Sequence, residues 1–298
     1  MEKITVLMST YNGEAHISAQ IKSILSQKDV NVLLEIRDDG STDHTVEIIR
    51  KEFPDVHVQC GKNVGYKKSF MILLQHAPVS GYYAFADQDD VWLENKLAIG
   101  VNKIRAYENI PAFYCSNLKV VDENLNYIRM LHSEKENIHM SQECALVENI
   151  SYGCTLVFNQ KLREIAEKNI PEHISHDGWL NLIGLYFGKG IYDEDSYILY
   201  RQHGNNILGG DRSFINTWRK RMRSFRNFNI HSRDIEAQEF LETFYMELSP
   251  QQIQVISSVA FYRNSILNKL CLLVNKKIKM TTFDRDFWYR VRIICSNI

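Results

Sequence analysis

An alternation restricts the fold more than any other feature: short β-branched or aromatic runs, each closed by a polar turn, are followed by stretches with apolar residues at helical spacing. Ile4-Thr5-Val6-Leu7-Met8-Ser9-Thr10 ends in Tyr11-Asn12-Gly13, after which Ala15, Ile17, Ile21, Ile24 and Leu25 share one helical face. Val32-Leu33-Leu34-Glu35-Ile36-Arg37 runs into Asp38-Asp39-Gly40-Ser41-Thr42-Asp43, and a helix from Thr45 follows, capped by Thr42 or Asp43. A strand at Val56-His57-Val58, a helix from Tyr66 through His76 and a strand at Tyr82–Phe85 continue the series. Strand and helix in short repeats predict an α/β chain with a mostly parallel sheet covered on both faces. In such sheets ligands gather beyond the carboxyl ends of the strands, so residues 10–12, 38–40 and 87–89 should converge on one edge.

The third of these ends carries the strongest chemical signal. Tyr82-Tyr83-Ala84-Phe85-Ala86 leads straight into Asp87-Gln88-Asp89-Asp90, three carboxylates within four residues. Their mutual repulsion has to be offset by a proton or a cation, and a hard divalent ion with oxygen ligands is the natural partner. On an extended chain, residues i and i+2 point the same way, so Asp87 and Asp89 can share one ion. The alternative is an acidic loop in which Asp90 caps a helix beginning at Trp92.

Length and composition narrow the class. The 298 residues suffice for two domains or one large domain with an appendage, and 45% hydrophobic with 24% charged residues is ordinary globular composition. No apolar run approaches the ~20 residues of a membrane span and the start leads directly into a strand, so a cytoplasmic protein is expected. The six cysteines form no C-x-x-C pair, which argues against a zinc site or a disulfide framework. Residues 211–298 hold 15 Lys/Arg against 8 Asp/Glu, leaving 20 against 28 for residues 1–210. An acidic body with a basic tail suggests that the tail meets an anionic surface.

Taken in order, Ser9-Thr10-Tyr11-Asn12-Gly13, Asp38-Asp39-Gly40-Ser41-Thr42-Asp43, Asn63-Val64-Gly65, Ala86-Asp87-Gln88-Asp89-Asp90-Val91-Trp92, Tyr152-Gly153-Cys154-Thr155, His176-Asp177-Gly178-Trp179 and Tyr200-Arg201-Gln202-His203-Gly204-Asn205-Asn206 resemble the family 2 glycosyltransferases, inverting nucleotide-sugar enzymes of GT-A fold. The last two segments look most like the bacterial rhamnosyltransferase branch. The resemblance covers about the first two-thirds of the chain.

It implies that Thr10, Tyr11, Asn12, Asp39 and Asn63 line a nucleotide-sugar site and that Asp38 accepts the imide N–H of uracil or thymine, a fitting task for an acceptor-only carboxylate. Asp87 would contact the ribose or order the metal, and Asp89 would ligate Mn2+ or Mg2+ on the diphosphate. His203 would complete the metal shell, and Arg201 would lie near the diphosphate. Asp177 matches the general base that deprotonates the acceptor hydroxyl. Gly153 and Trp179 fall on the acceptor side, with Trp179 either core or a stacking platform for a sugar ring. Against these stand plainer readings: an Asx-type turn at Asp38 and Asp39, a helix cap at Asp177 and a small buried hydrophobe at Cys154. The pair His173 and His176 lacks a third soft ligand for zinc.

The expected activity is metal-dependent transfer of a sugar, rhamnose from dTDP-rhamnose, to a cell-surface polysaccharide or lipid-linked oligosaccharide. A UDP-hexose enzyme of the same fold is the nearest alternative, and a non-catalytic membrane-peripheral scaffold is the alternative of another class. Residues 1–210 should form the catalytic domain and 211–298 a helical, basic subdomain. There Phe214, Trp218, Met222, Phe225 and Phe228 make an aromatic stripe among arginines, suited to peripheral membrane contact at the inner face or to a homodimer surface. No nucleic-acid-binding module is recognisable.

Overall fold

The computed structural model describes residues 1–133, 136, 138–202, 233–296 and 298. His203 and the stripe from Phe214 to Phe228 lie outside them. The chain divides into two compact units, residues 1–134, 150–170 and 175–201 forming the first and residues 135–149, 171–174 and 202–298 the second. The division at 201/202 falls close to the expected 210/211 boundary, but the second unit also takes two segments from within residues 1–210.

The first unit is built on one sheet. Its strands are β1 (Glu2–Thr10), β2 (Val30–Asp38), β3 (His57–Cys60), β4 (Tyr82–Ala86), β5 (Val91–Trp92), β6 (Ala112–Val121), β7 (Tyr127–Met130), β8 (Val157–Asn159) and β9 (Lys189–Arg201). The order is β3-β2-β1-β4-β8-β6-β9-β5, with β7 paired to β6. From β3 to β4 the pairing is parallel, as is β6 with β9, while β8 and β5 insert antiparallel. All five residues of β4 are buried, which is why this strand reads as a continuous apolar run. Helices α1 (Ile17–Leu25), α2 (Thr45–Glu52), α3 (Tyr66–His76), α4 (Lys96–Ile104), α6 (Gln160–Ala166) and α7 (His176–Phe187) belong to this unit, and α5 (Gln142–Ala145) to the second.

Local structure differs from the sequence reading in several places. The N-cap of α2 is His44, without a side-chain cap hydrogen bond, and not Thr42 or Asp43. Asp90 caps no helix: Val91–Trp92 is a short strand paired to Leu199 and Ile198, and α4 begins only at Lys96 after Asn95. Gly153–Thr155 is a single 3-10 turn, and the strand proper is Val157–Asn159. Strands β6 and β9 escaped the periodicity because β9 interleaves Lys189, Asp193, Glu194 and Asp195 with its apolar residues and its register against β6 shifts at Ser116 and Asn117.

The second unit is helical where described: α8 (Arg233–Phe244), α9 (Pro250–Ala260), α10 (Ile266–Val274) and α11 (Phe283–Ile294). The starts follow side-chain chemistry, with a Ser249/Gln252 capping box and Pro250 on α9, Ser265 capping α10 and Thr282 capping α11. Phe240, Ile256, Val259, Tyr262, Leu272, Tyr289 and Ile293 form its core. Glu239 accepts the backbone N–H groups of Glu172, His173 and Ile174 at 2.5, 3.0 and 3.2 Å, and Glu148 pairs with Arg285 at 2.6 Å. Among the described residues no helix is long and apolar enough to cross a membrane.

Candidate active site

Register alone brings the strand ends together. Thr10 lies opposite Asp38 and Met8 opposite Ala86, so the loops after β1, β2 and β4 leave one edge side by side. Gln88 fastens two of them: its Oε1 accepts from Thr10 Oγ1 at 2.6 Å and from Tyr11 N at 2.8 Å, while its Nε2 donates to Tyr11 O at 3.1 Å. Asn12, at φ 49°, joins the first loop to the second, its N donating to Ser41 Oγ at 2.9 Å and its Oδ1 accepting from Thr42 N at 2.8 Å. The expected convergence of residues 10–12, 38–40 and 87–89 is therefore present.

Within that edge the two aspartates after β2 do different work. Asp38 is buried and closes an Asx-type turn, accepting from Gly40 N at 3.2 Å and Ser41 N at 3.0 Å and bonding the Ser41 hydroxyl. Asp39 pairs with buried Arg37 at 2.5 Å and accepts from Val64 N and Gly65 N at 3.0 and 2.9 Å. Its carboxylate holds the 63–65 loop and so braces the site. Asn63 is exposed on that loop, its Oδ1 accepting from Gly65 N at 3.2 Å.

Behind the loop after β4 lies a cluster that the motif reading only half identified. Ligand atoms of Asp87, Asp90 and Cys154 all lie within 4.8 Å of one another. Asp90 is fully buried, with Oδ1 accepting from Arg201 N at 3.3 Å and Oδ2 without a hydrogen-bond partner. Burial first, then repulsion from Asp87 and Asp89, pushes its carboxyl well above the usual range. Asp87 is partly exposed, and burial together with the charges of Asp89 and Asp177 pushes it up to about 7. Lys96, which sequence reasoning passed over, is buried here with its Nζ 3.7 Å from the centroid of the Trp92 ring and no hydrogen-bond acceptor. Burial lowers its ammonium to about 7. A lysine at the first turn of a helix reads as a solvated charge, and only the fold turns it inward.

A hard divalent cation suits this set. Two carboxylates, Asp87 and Asp90, converge with the charge of Asp89 felt at both, one of them has a buried oxygen lacking a donor, and the repulsion is incompletely offset by Lys96. Cys154 suits it less, because burial and the neighbouring carboxylates drive its thiol far up and keep it protonated. Arg201 is buried, donating from Nε to Asp89 O at 3.0 Å and from Nη1 to Glu123 O, so it fixes the backbone of the acidic loop.

Asp177 reaches the cluster from a different element. It occupies the first turn of α7, but the cap is Ser175, whose hydroxyl accepts from Gly178 N at 3.3 Å, and Asp177 remains partly exposed. Its Oδ1 accepts from Gly178 N at 2.8 Å, and its charge is felt at Asp87. Next to it His176 is buried, stacked on Phe70 at 4.1 Å and edge-on to Phe85 at 4.9 Å, with both ring nitrogens unbonded. Burial lowers the pKa of this imidazole and favours its neutral form. Gly153 packs onto it so closely that a Cβ would sit 2.6 Å from His176 Nε2. Trp179 is fully buried, its indole donating to Ala166 O at 3.2 Å, so of its two readings the core one holds and the open stacking platform does not.

Comparison with known proteins settles the family. The model of glycosyl transferase family 2 matches residues 5–165, more than half of the chain. The chain belongs to that family. It is 31% identical over 229 residues to the dTDP-rhamnosyl transferase RfbG of Shigella flexneri, covering 70% of this chain and 75% of the relative. It is 28% identical over 217 residues to the UDP-Glc:alpha-D-GlcNAc-diphosphoundecaprenol beta-1,3-glucosyltransferase WfaP of Escherichia coli, covering 70% and 80%. In fold it is similar to S. aureus TarS in complex with UDP-GlcNAc, at TM-score 0.58 and 14% identity over 99% of this chain and 91% of that one. The mannosyltransferase PcManGT from Pyrobaculum calidifontis, in complex with GDP-Man and Mn2+, matches at TM-score 0.51 and 15% identity over 99% and 87%. The fold is GT-A, and this family 2 glycosyltransferase is an enzyme of the hexosyltransferase class.

Proposed function

We propose that this enzyme transfers rhamnose from dTDP-rhamnose, with inversion, to a cell-surface polysaccharide or lipid-linked oligosaccharide acceptor. The observation that carries the chemical part is Asp177: Ser175 relieves it of capping, it is partly exposed, and it faces the Asp87 cluster closely enough to raise that carboxyl. Inversion needs a base on the side of the anomeric carbon opposite the departing diphosphate. Asp177 takes the acceptor hydroxyl's proton on one of its carboxylate oxygens as the hydroxyl oxygen bonds to that carbon and the bond to the diphosphate breaks. The hydrogen bond from Gly178 N at 2.8 Å orients the carboxylate for this.

On the donor side, Asp38 has acceptor capacity left beyond its turn bonds for the imide N–H of the pyrimidine. Thr10, Tyr11, Asn12 and Asn63 line the nucleotide, and Asp39 holds the wall they stand on. Asp87 and Asp89 would hold Mn2+ or Mg2+, with Asp90 behind them and His203 a further candidate ligand. Bound there, the ion supplies compensation for the charge that gathers on the leaving diphosphate. Arg201 keeps the acidic loop in register beside it.

Similarity to RfbG supports the rhamnose reading. Similarity to WfaP favours a second one, a UDP-hexose donor on the same machinery, since thymine and uracil differ by one methyl group. Thermal shift with dTDP, UDP and GDP in the presence of Mn2+ separates them, because a ligand of the folded state alone raises the melting temperature. A larger rise with dTDP, followed by mass detection of a deoxyhexose-extended product, is expected; a rise with UDP alone rejects the rhamnose reading. Asp177→Asn should lower turnover by about 10²–10⁴-fold with donor binding intact, and undiminished turnover would remove Asp177 as the base.

A further inference from the structure

The second unit carries a surface that sugar transfer does not explain. Helix α10 reads Ile-Leu-Asn-Lys-Leu-Cys-Leu-Leu-Val, yet Leu272 is its one buried residue. At about 100° per residue, Ile266, Leu270, Val274 and Leu267 fall within an arc of roughly 100°, with Leu272 on the opposite side. Ile266 is 77% exposed, Leu267 72% and Val274 71%. Neighbouring α11 repeats the arrangement: Phe283, at 89%, shares a face with exposed Phe287 and Ile294, while Tyr289 and Ile293 are buried on the other. Water-facing helices of such composition mark an interaction site.

The segment between them is basic and held in place. Lys276, Lys277 and Lys279 are exposed there. Arg290 fixes the turn that presents them, Nη1 donating to Leu272 O and Leu273 O, each at 2.9 Å, and Nη2 to Asn275 O at 3.0 Å and Ile278 O at 2.7 Å. Residues 263–298 hold eight Lys/Arg against two Asp/Glu. A second copy would bring like charge against like charge, whereas an anionic lipid surface offers the complement together with an apolar layer beneath it.

We propose that α10, the 275–282 turn and the start of α11 form a docking surface for an anionic bilayer. Ile266, Leu267, Leu270, Val274 and Phe283 enter the boundary between headgroups and acyl chains, and Lys276, Lys277 and Lys279 meet lipid phosphates. The surface is independent of the donor, so its failure would leave the transfer reading untouched.

Co-sedimentation of the full chain with vesicles tests it. Binding to phosphatidylcholine vesicles containing about 30 mol% phosphatidylglycerol, weaker in salt and weaker still on pure phosphatidylcholine, is expected. Lys276→Gln/Lys277→Gln/Lys279→Gln should lower partitioning on the order of a hundredfold. Leu267→Glu/Leu270→Glu should release the protein from vesicles, with the melting temperature and donor hydrolysis of both variants unchanged because the altered side chains are exposed. Wild-type protein that stays in the supernatant at low ionic strength overturns the proposal, as do variants that partition like wild type. So does a wild-type dimer, seen in sedimentation velocity and dissolved by Leu267→Glu/Leu270→Glu, that does not bind vesicles.

Discussion

Replacing Asp87 with asparagine should make the folded protein more stable while disabling it. In the folded state the Asp87 carboxyl keeps its proton up to about 7, against 3.8 in the unfolded chain. Between those values the folded state binds more protons, so Asp87's contribution is complete below pH 3.8 and is lost as pH rises toward 7. At about 1.36 kcal/mol per pH unit the ceiling on that loss is roughly 4 kcal/mol. The asparagine amide is uncharged at every pH and keeps the shape, so above pH 7 the variant should exceed wild type by about 1–3 kcal/mol, the remainder being taken up by Lys96 and Asp90 as they adjust. Lys96 acts in the opposite sense above neutrality: its ammonium is lowered from 10.5 to about 7, so stability returns across that window. Urea denaturation in chelator at pH 4, 5, 6, 7 and 8 reads the difference, and equal midpoints at pH 5 and pH 8, or a variant less stable than wild type at pH 8, would refute the reasoning. Adding Mn2+ should raise the wild-type midpoint far more than that of Asp87→Asn.

Three further outcomes follow from the same geometry. Arg37→Met strands the buried Asp39 carboxylate and should cost about 3–5 kcal/mol by denaturant titration, with nucleotide affinity falling as the 63–65 loop loosens. Gly153→Ala drives a methyl into His176 and should lower stability by about 1–3 kcal/mol, whereas unchanged stability would mean the imidazole can move aside. Ser175→Ala should cost about 1 kcal/mol in melting experiments and leave the Asp177-dependent pH profile of transfer in place, since Asp177 is not the cap.

Periodicity and punctuation alone were enough for the parallel core, because β4 and the middle of β1 are buried on both faces and a stretch with nowhere to put charged residues reads as a continuous apolar run. The same logic located the site, since acids at strand ends cannot be core. Residues acting through long-range packing could not be read that way. Lys96 and Asp90 have ordinary local contexts, and only the placement of α4, Trp92 and the 153–155 turn buries them against Asp87. Asp38 and Asp39 are adjacent in sequence, but the pairing of Asp39 with Arg37 and the 63–65 loop appears only when β2 and the start of α3 are brought together. Whether Asp177 was a cap or a free carboxylate also depended on three-dimensional geometry, which gave the cap to Ser175 two residues earlier. Local sequence sets the strands, their turns and the acids at the strand ends; which of the polar side chains is buried, and the charge it then carries, is decided by neighbours distant in the chain, because burial and proximity set it together.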